Sequence, residues 1–181
     1  MSVPNILTGL RIVCIPALVI VLMIPFGKNN IVAFSIFLLA SLTDMLDGFW
    51  ARRKKLITVS GQLLDPIADK LLVASALICL VELGIVKAWM VIIIIGREIA
   101  VTGFRALASS KGYNIPASVL GKIKMVLETT TIMLLLLGKE VLGKFYFFSQ
   151  LGLWLIIATA IFSAVEYCFK YGRLVLSQRS S

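Results

Sequence analysis

All four aspartates of this 181-residue chain, Asp44, Asp47, Asp65 and Asp69, fall within one stretch of twenty-six residues. The sequence has no histidine. Imidazole acid–base work, histidine triads and histidine metal sites are therefore excluded, and carboxylates, lysines and hydroxyls remain for chemistry. Asp44 and Asp47 are spaced i, i+3 and Asp65 and Asp69 i, i+4, so each pair shares a helix face. Four converging carboxylates repel one another strongly unless a positive charge sits among them. An all-oxygen donor set suits a hard divalent cation, and Mg²⁺ in particular combines a few carboxylates with waters and phosphate oxygens. Two such ions about 3.5–4 Å apart would clamp the attacking and leaving oxygens of a phosphoryl displacement. The alternative is a solvated loop in which Arg52, Arg53, Lys54, Lys55 and Lys70 neutralise the aspartates, since charge runs at span ends commonly set topology.

The elements that must position these carboxylates are set by composition. The chain is 60% hydrophobic and 15% charged, with a mean hydropathy of +1.01, outside the range of a soluble domain. Apolar runs recur throughout: ILTGLRIVCIPALVIVLMIPF, IVAFSIFLLASL, LLVASALICLVELGIV, AWMVIIIIG, MVLETTTIMLLLL and FYFFSQLGLWLIIATAIFSAV. Six membrane spans are expected, some completed by charged ends, because a crossing takes about 20 residues. Barrel alternation is missing and unpaired backbone groups are not tolerated in lipid, so the expected fold is an all-α integral membrane bundle of six transmembrane helices. Residues 1–181 read as a single domain, and no cleaved signal peptide is expected. Cys14, Cys79 and Cys168 sit among aliphatic residues without metal or disulfide spacing.

With six spans both termini share one side. Arg52, Arg53, Lys54, Lys55, Arg105, Lys111, Lys122, Lys124, Lys170, Arg173 and Arg179 fall on that side, against Lys28, Lys87, Lys139 and Lys144 on the other. The termini and the aspartate segment are thus expected to be cytoplasmic, with the protein in the cytoplasmic membrane. The net charge of +9 suits anionic membrane lipids. A nucleic-acid partner is not expected, because the basic residues are spread over short loops.

A second helix continuing past Leu42 carries Asp44 and Asp47, and a third beginning near Gly61 carries Asp65 and Asp69, with Arg53 to Ser60 as the hairpin. Pro66 should start that third helix or kink its first turns. The whole arrangement, Asp44, Asp47, Gly48, Ala51, Arg52, eight residues, Gly61, Asp65 and Asp69, resembles the signature of the CDP-alcohol phosphatidyltransferase family, D-x-x-D-G-x-x-A-R-x8-G-x-x-x-D-x-x-x-D, with no position missing. In hydropathy the resemblance extends over nearly the whole chain, though only this segment is diagnostic.

The resemblance implies a homodimeric six-helix membrane enzyme, its metal site facing the cytoplasm, that displaces CMP from CDP-diacylglycerol with an alcohol. It implies that Asp44, Asp47 and Asp65 hold two divalent ions, Mg²⁺ or Mn²⁺, with Asp69 also on one of them and acting as general base. Gly48 and Gly61 would let the nucleotide approach a helix backbone closely, although small residues also line helix contacts in membranes. Arg52 suits the pyrophosphate and is explained equally well as a cytoplasmic anchor. Thr58 would bond the nucleotide by analogy with relatives, or be an ordinary loop residue. The lead-in at about residues 2–10, PNILTGLR, resembles a nucleotide-binding segment of the family. Asn5, Thr8 and Arg11 share a face there, while a cap at Asn5 and a snorkelling Arg11 account for them nearly as well.

The acceptor alcohol is read from the remaining charges. Arg97, Arg105, Lys122 and Lys124 near the cytoplasmic end would make a pocket for an anion, with phosphate the natural guest. A simpler role for Arg97 is pairing with Glu98 or a neighbouring helix. The runs GREIAVTGFR and GKIK are similar to those of family members that use sn-glycerol 3-phosphate, with Gly96 and Met125 departing from the usual pattern. Another phosphorylated acceptor such as inositol phosphate is the nearest alternative. A cation transporter using the aspartates is the alternative of a different class, disfavoured by Gly48, Ala51 and Arg52 beside the ion site. Glu128, Glu166, the FYFF run and Trp154 read as interhelix contacts and interface-belt residues.

Overall fold

A computed structural model describes residues 3–24, 29–54, 59–110 and 119–176, with side chains placed over 9–24, 29–43, 67–106, 109 and 123–165. The described residues form helices and their connections: α1 Val3–Met23, α2 Asn29–Lys54, α3 Val59–Glu82, α4 Ala88–Ser110, α5 Val119–Leu142, a 3₁₀ turn Gly143–Phe145, and α6 Tyr146–Leu176. The expected lead-in is continuous with α1. α2 and α3 run closer together in sequence than the expected hairpin, leaving only 55–58 between them. α3 begins at Val59, seven residues before Pro66, and passes through it rather than starting at it, forgoing one backbone hydrogen bond there because proline has no amide hydrogen.

α1 packs on α2 and α3, α5 on α6 and α2, and α4 on α6, with α3 touching α2, α4 and α5. Leu18, Phe37, Leu72, Leu77, Leu80, Ile94, Ile132, Leu135, Leu153 and Ile156 are buried between these helices. The outer surface is just as apolar: Val13, Ile92, Ile99, Val126 and Phe162 are each about two-thirds exposed. A surface that hydrophobic is unfavourable in water and suited to lipid. Hydroxyls in the helices turn back to their own backbone, as Ser35 does to the Ile31 carbonyl at 2.8 Å and Thr129 to that of Met125 at 2.9 Å. Such bonds satisfy a polar group where no water is at hand.

Two glycines fix the hairpins. Gly84, at φ 70°, ends α3. Its amide donates to the Val81 carbonyl at 2.9 Å, and the Ile85 amide to that of Leu80 at 2.9 Å, the pair of bonds by which a left-handed residue closes a helix. Gly152 lets α6 lie against α5, since a Cβ there would stand 2.3 Å from Thr131 Oγ1.

One stretch of the described residues, Ile123–Val165, is long and apolar enough to cross a membrane, and Gly9–Met23 and Asn29–Thr43 are shorter apolar helices. Ile123–Val165 is not one rod. Its helical angles break at Gly138, and α5 folds back on α6.

Candidate active site

The polar residues of α3, α4 and α5 meet around a cavity of about 480 Å³. α3 contributes Asp69 and Lys70, α4 contributes Arg97, Glu98, Thr102 and Arg105, and α5 contributes Lys124 and Glu128. The rest of the lining is largely aliphatic, including Ile67, Leu71, Ile95 and Ile99. A cleft with a few converging charges on apolar walls is the usual form of a small-molecule site.

These charges are organised. Arg97 Nη1 donates to Glu98 Oε1 at 2.7 Å, and Lys124 Nζ donates to the same carboxylate oxygen. Arg97 Nη2 donates to the Ser163 hydroxyl on α6. Lys124 Nζ also lies 3.7 Å from Glu128 Oε2, one turn along α5. Across the cavity Lys70 Nζ donates to Thr102 Oγ1, tying α3 to α4 beside Asp69. The Lys124 side chain is only 4% exposed, and a cation so enclosed requires carboxylate company.

The sequence places Asp69 in one group and Arg97, Arg105 and Lys124 in another, and the structure brings all four to one cavity. The alternative reading of Arg97 is also realised in part, because it does pair with Glu98. Lys122 lies on α5 two residues before Lys124, about 200° round the helix from it. Asp44, Asp47, Gly48 and Arg52 fall on α2, Gly61 and Asp65 on α3, and Asn5 and Thr8 on α1. The placed side chains do not include these residues or Lys122, and Thr58 lies outside the described residues. The aspartate pairs thus sit toward the adjoining ends of consecutive helices, as their spacing predicts. Arg11 is fully enclosed rather than snorkelling.

Three cavity residues, and Ser163 that bonds Arg97, escape a functional reading of the sequence. Lys70 reads as a counter-charge and Glu128 as an interhelix contact, yet both line the cavity, and Glu128 faces Lys124 of its own helix. The Lys124–Glu128 spacing of four was a usable signal. Thr102 and Ser163 carry none, because a hydroxyl in an apolar helix most often bonds its own backbone.

The model of the CDP-alcohol phosphatidyltransferase family matches residues 1–165. The chain belongs to the CDP-alcohol phosphatidyltransferase family. It is 40% identical over 182 residues to the CDP-diacylglycerol–glycerol-3-phosphate 3-phosphatidyltransferase of Bacillus subtilis, covering 93% of this chain and 94% of that one. A protein of the same name from Rickettsia bellii is 33% identical over 175 residues, covering 94% and 97%. A probable phosphatidylglycerophosphate synthase of Mycobacterium tuberculosis is 40% identical over 139 residues, covering 75% of this chain and 66% of that one. Membership removes the transporter alternative and makes the protein a membrane-associated, divalent-metal-dependent transferase of phospholipid synthesis.

Proposed function

We propose that this protein transfers the phosphatidyl group of CDP-diacylglycerol to the 1-hydroxyl of sn-glycerol 3-phosphate, releasing CMP and forming phosphatidylglycerophosphate. The carrying observation is that Asp69, a carboxylate of the family signature, shares one cavity with Arg97, Arg105 and Lys124. A carboxylate beside a cluster of cations suits an alcohol that carries its own phosphate.

In this reading the acceptor phosphate lies among Arg97, Arg105 and Lys124, which orients the three-carbon chain with its free hydroxyl toward Asp69. The hydroxyl oxygen bonds to the β-phosphorus as its proton passes to Asp69. The bond from that phosphorus to the bridging oxygen breaks, and CMP departs with the electron pair. The aliphatic walls keep water from competing for the phosphatidyl group. Lys122 is the fourth cation assigned to the acceptor phosphate in this reading.

The donor set of Asp44, Asp47, Asp65 and Asp69 fits divalent cations. It is all oxygen, it lies at spacings that give each helix one acidic face, and it includes the carboxylate on the cavity wall. These residues would hold two Mg²⁺, with Mn²⁺ able to substitute, and bound metal would neutralise the diphosphate and the charge developing on CMP. Asn5, Thr8, Gly48, Arg52, Thr58 and Gly61 serve CDP-diacylglycerol.

The chain works as one unit over residues 1–181. It crosses the cytoplasmic membrane six times with both termini and the site cytoplasmic, and it pairs as a homodimer among membrane lipids. The helix lengths of 21 to 31 residues support six crossings, given that about 20 suffice.

The test is CMP release from CDP-diacylglycerol by purified protein in detergent with Mg²⁺, comparing glycerol 3-phosphate, inositol phosphate and glycerol. Release that requires glycerol 3-phosphate supports the proposal. Release stimulated only by inositol phosphate would retire this acceptor.

A further inference from the structure

Glu98 Oε1 accepts from both Arg97 and Lys124, the cations assigned above to the acceptor phosphate. The two come from different helices, α4 and α5, and are twenty-seven residues apart in sequence. Left to themselves, two cations enclosed this closely would repel and swing apart. The shared carboxylate oxygen instead fixes the separation of their heads.

The remaining contacts complete a frame. Ser163 on α6 holds the second guanidinium nitrogen of Arg97, and Glu128 approaches Lys124 from the next turn of α5. Arg97 Nε is buried without a hydrogen-bond partner among the described residues. The frame thus leaves a donor over on a guanidinium whose other two nitrogens are anchored.

We propose that Glu98 is a positioning residue for acceptor recognition, its carboxylate joining Arg97 and Lys124 into one rigid phosphate receptor braced by Ser163. This rests on the function proposed above and adds to it the residue on which phosphate selectivity depends.

The sign of the effect separates positioning from simple electrostatics. Removing a negative charge from a phosphate site strengthens anion binding if charge alone matters. In Glu98→Gln the amide keeps the size of the side chain and one acceptor oxygen but loses the negative charge that draws two cations onto that oxygen, so the frame loosens.

Glu98→Gln is expected to raise the KM for glycerol 3-phosphate by about 10- to 100-fold, the range for losing a hydrogen bond to a charged group. The KM for CDP-diacylglycerol and the kcat at saturating acceptor should change less than about threefold. Inorganic phosphate, tested as an inhibitor competing with glycerol 3-phosphate, should weaken by the same factor. Glu98→Asp, one methylene shorter, keeps the charge and should recover part of the loss. Ser163→Ala, which removes a brace while leaving every charge in place, should raise the acceptor KM several-fold, and it tests the frame even if Glu98→Gln does not fold. An unchanged or lowered acceptor KM in Glu98→Gln, or in Ser163→Ala where Glu98→Gln does not fold, would overturn the proposal. Failure of the underlying function is separate, because the unmutated protein would then not use glycerol 3-phosphate at all.

Discussion

Among single residues, the proposed function divides the cavity between a proton acceptor, Asp69, and an anion receptor. Asp69→Asn keeps the shape of the side chain and removes the basic oxygen. CMP release should fall by at least about 10²-fold, the usual contribution of a general base, in a protein that still purifies folded. Lys124→Gln should act on the other half, raising the acceptor KM by about tenfold or more while sparing that of CDP-diacylglycerol. Removing divalent metal with a chelator should abolish CMP release, and adding Mg²⁺ should restore it. Residue types and short spacings made much of this readable beforehand, because Asp69, Arg97, Arg105 and Lys124 are charges that an apolar helix does not carry without reason. The bond from Arg97 to Ser163 could not be read, since sixty-six residues separate them and no periodicity reports which helices become neighbours.

At the scale of elements, small residues decide how closely the helices meet. The α5–α6 contact depends on Gly152, whose missing Cβ leaves room for Thr131. Gly152→Ala should destabilise the protein by about 1–3 kcal/mol, the common cost of overpacking, read as a lower midpoint of thermal unfolding in detergent. Adding Thr131→Ala removes the nearest obstructing atoms, so the double variant should recover part of that loss, with coupling visible in a double-mutant cycle. The hairpin at Gly84 is closed by its paired backbone bonds. The course of α3 through Pro66 did not follow from the sequence, because proline's missing amide hydrogen argues against an uninterrupted helix at that point.

At the scale of the whole molecule, polarity is arranged by depth. One end carries Lys87, Lys139 and Lys144 at or near the α3–α4 and α5–α6 turns, with Trp89 and Trp154 packed together nearby, ring centres 5.9 Å apart. Exposed Phe145, Phe147 and Phe148 mark the same end, as aromatic residues do at a membrane boundary. The charged cavity opens nearer the other end. If the protein crosses the membrane six times with the site cytoplasmic, cysteines introduced at Lys87 and Lys144 in a cysteine-free background should react with an impermeant thiol reagent from outside intact cells. One introduced at Ser109 should react only after the membrane is opened, and the reverse pattern would contradict the orientation.

The proposed function requires the acceptor's phosphate to be held between α4 and α5 with its hydroxyl beside Asp69. The most direct measurement is an experimental structure of the protein with Mn²⁺, a cytidine nucleotide and glycerol 3-phosphate. Two anomalous metal peaks are expected among Asp44, Asp47, Asp65 and Asp69, with the phosphate within hydrogen-bonding distance of Arg97 and Lys124. Glycerol 3-phosphate lodged elsewhere, or those aspartates turned away from one another without metal, would contradict it.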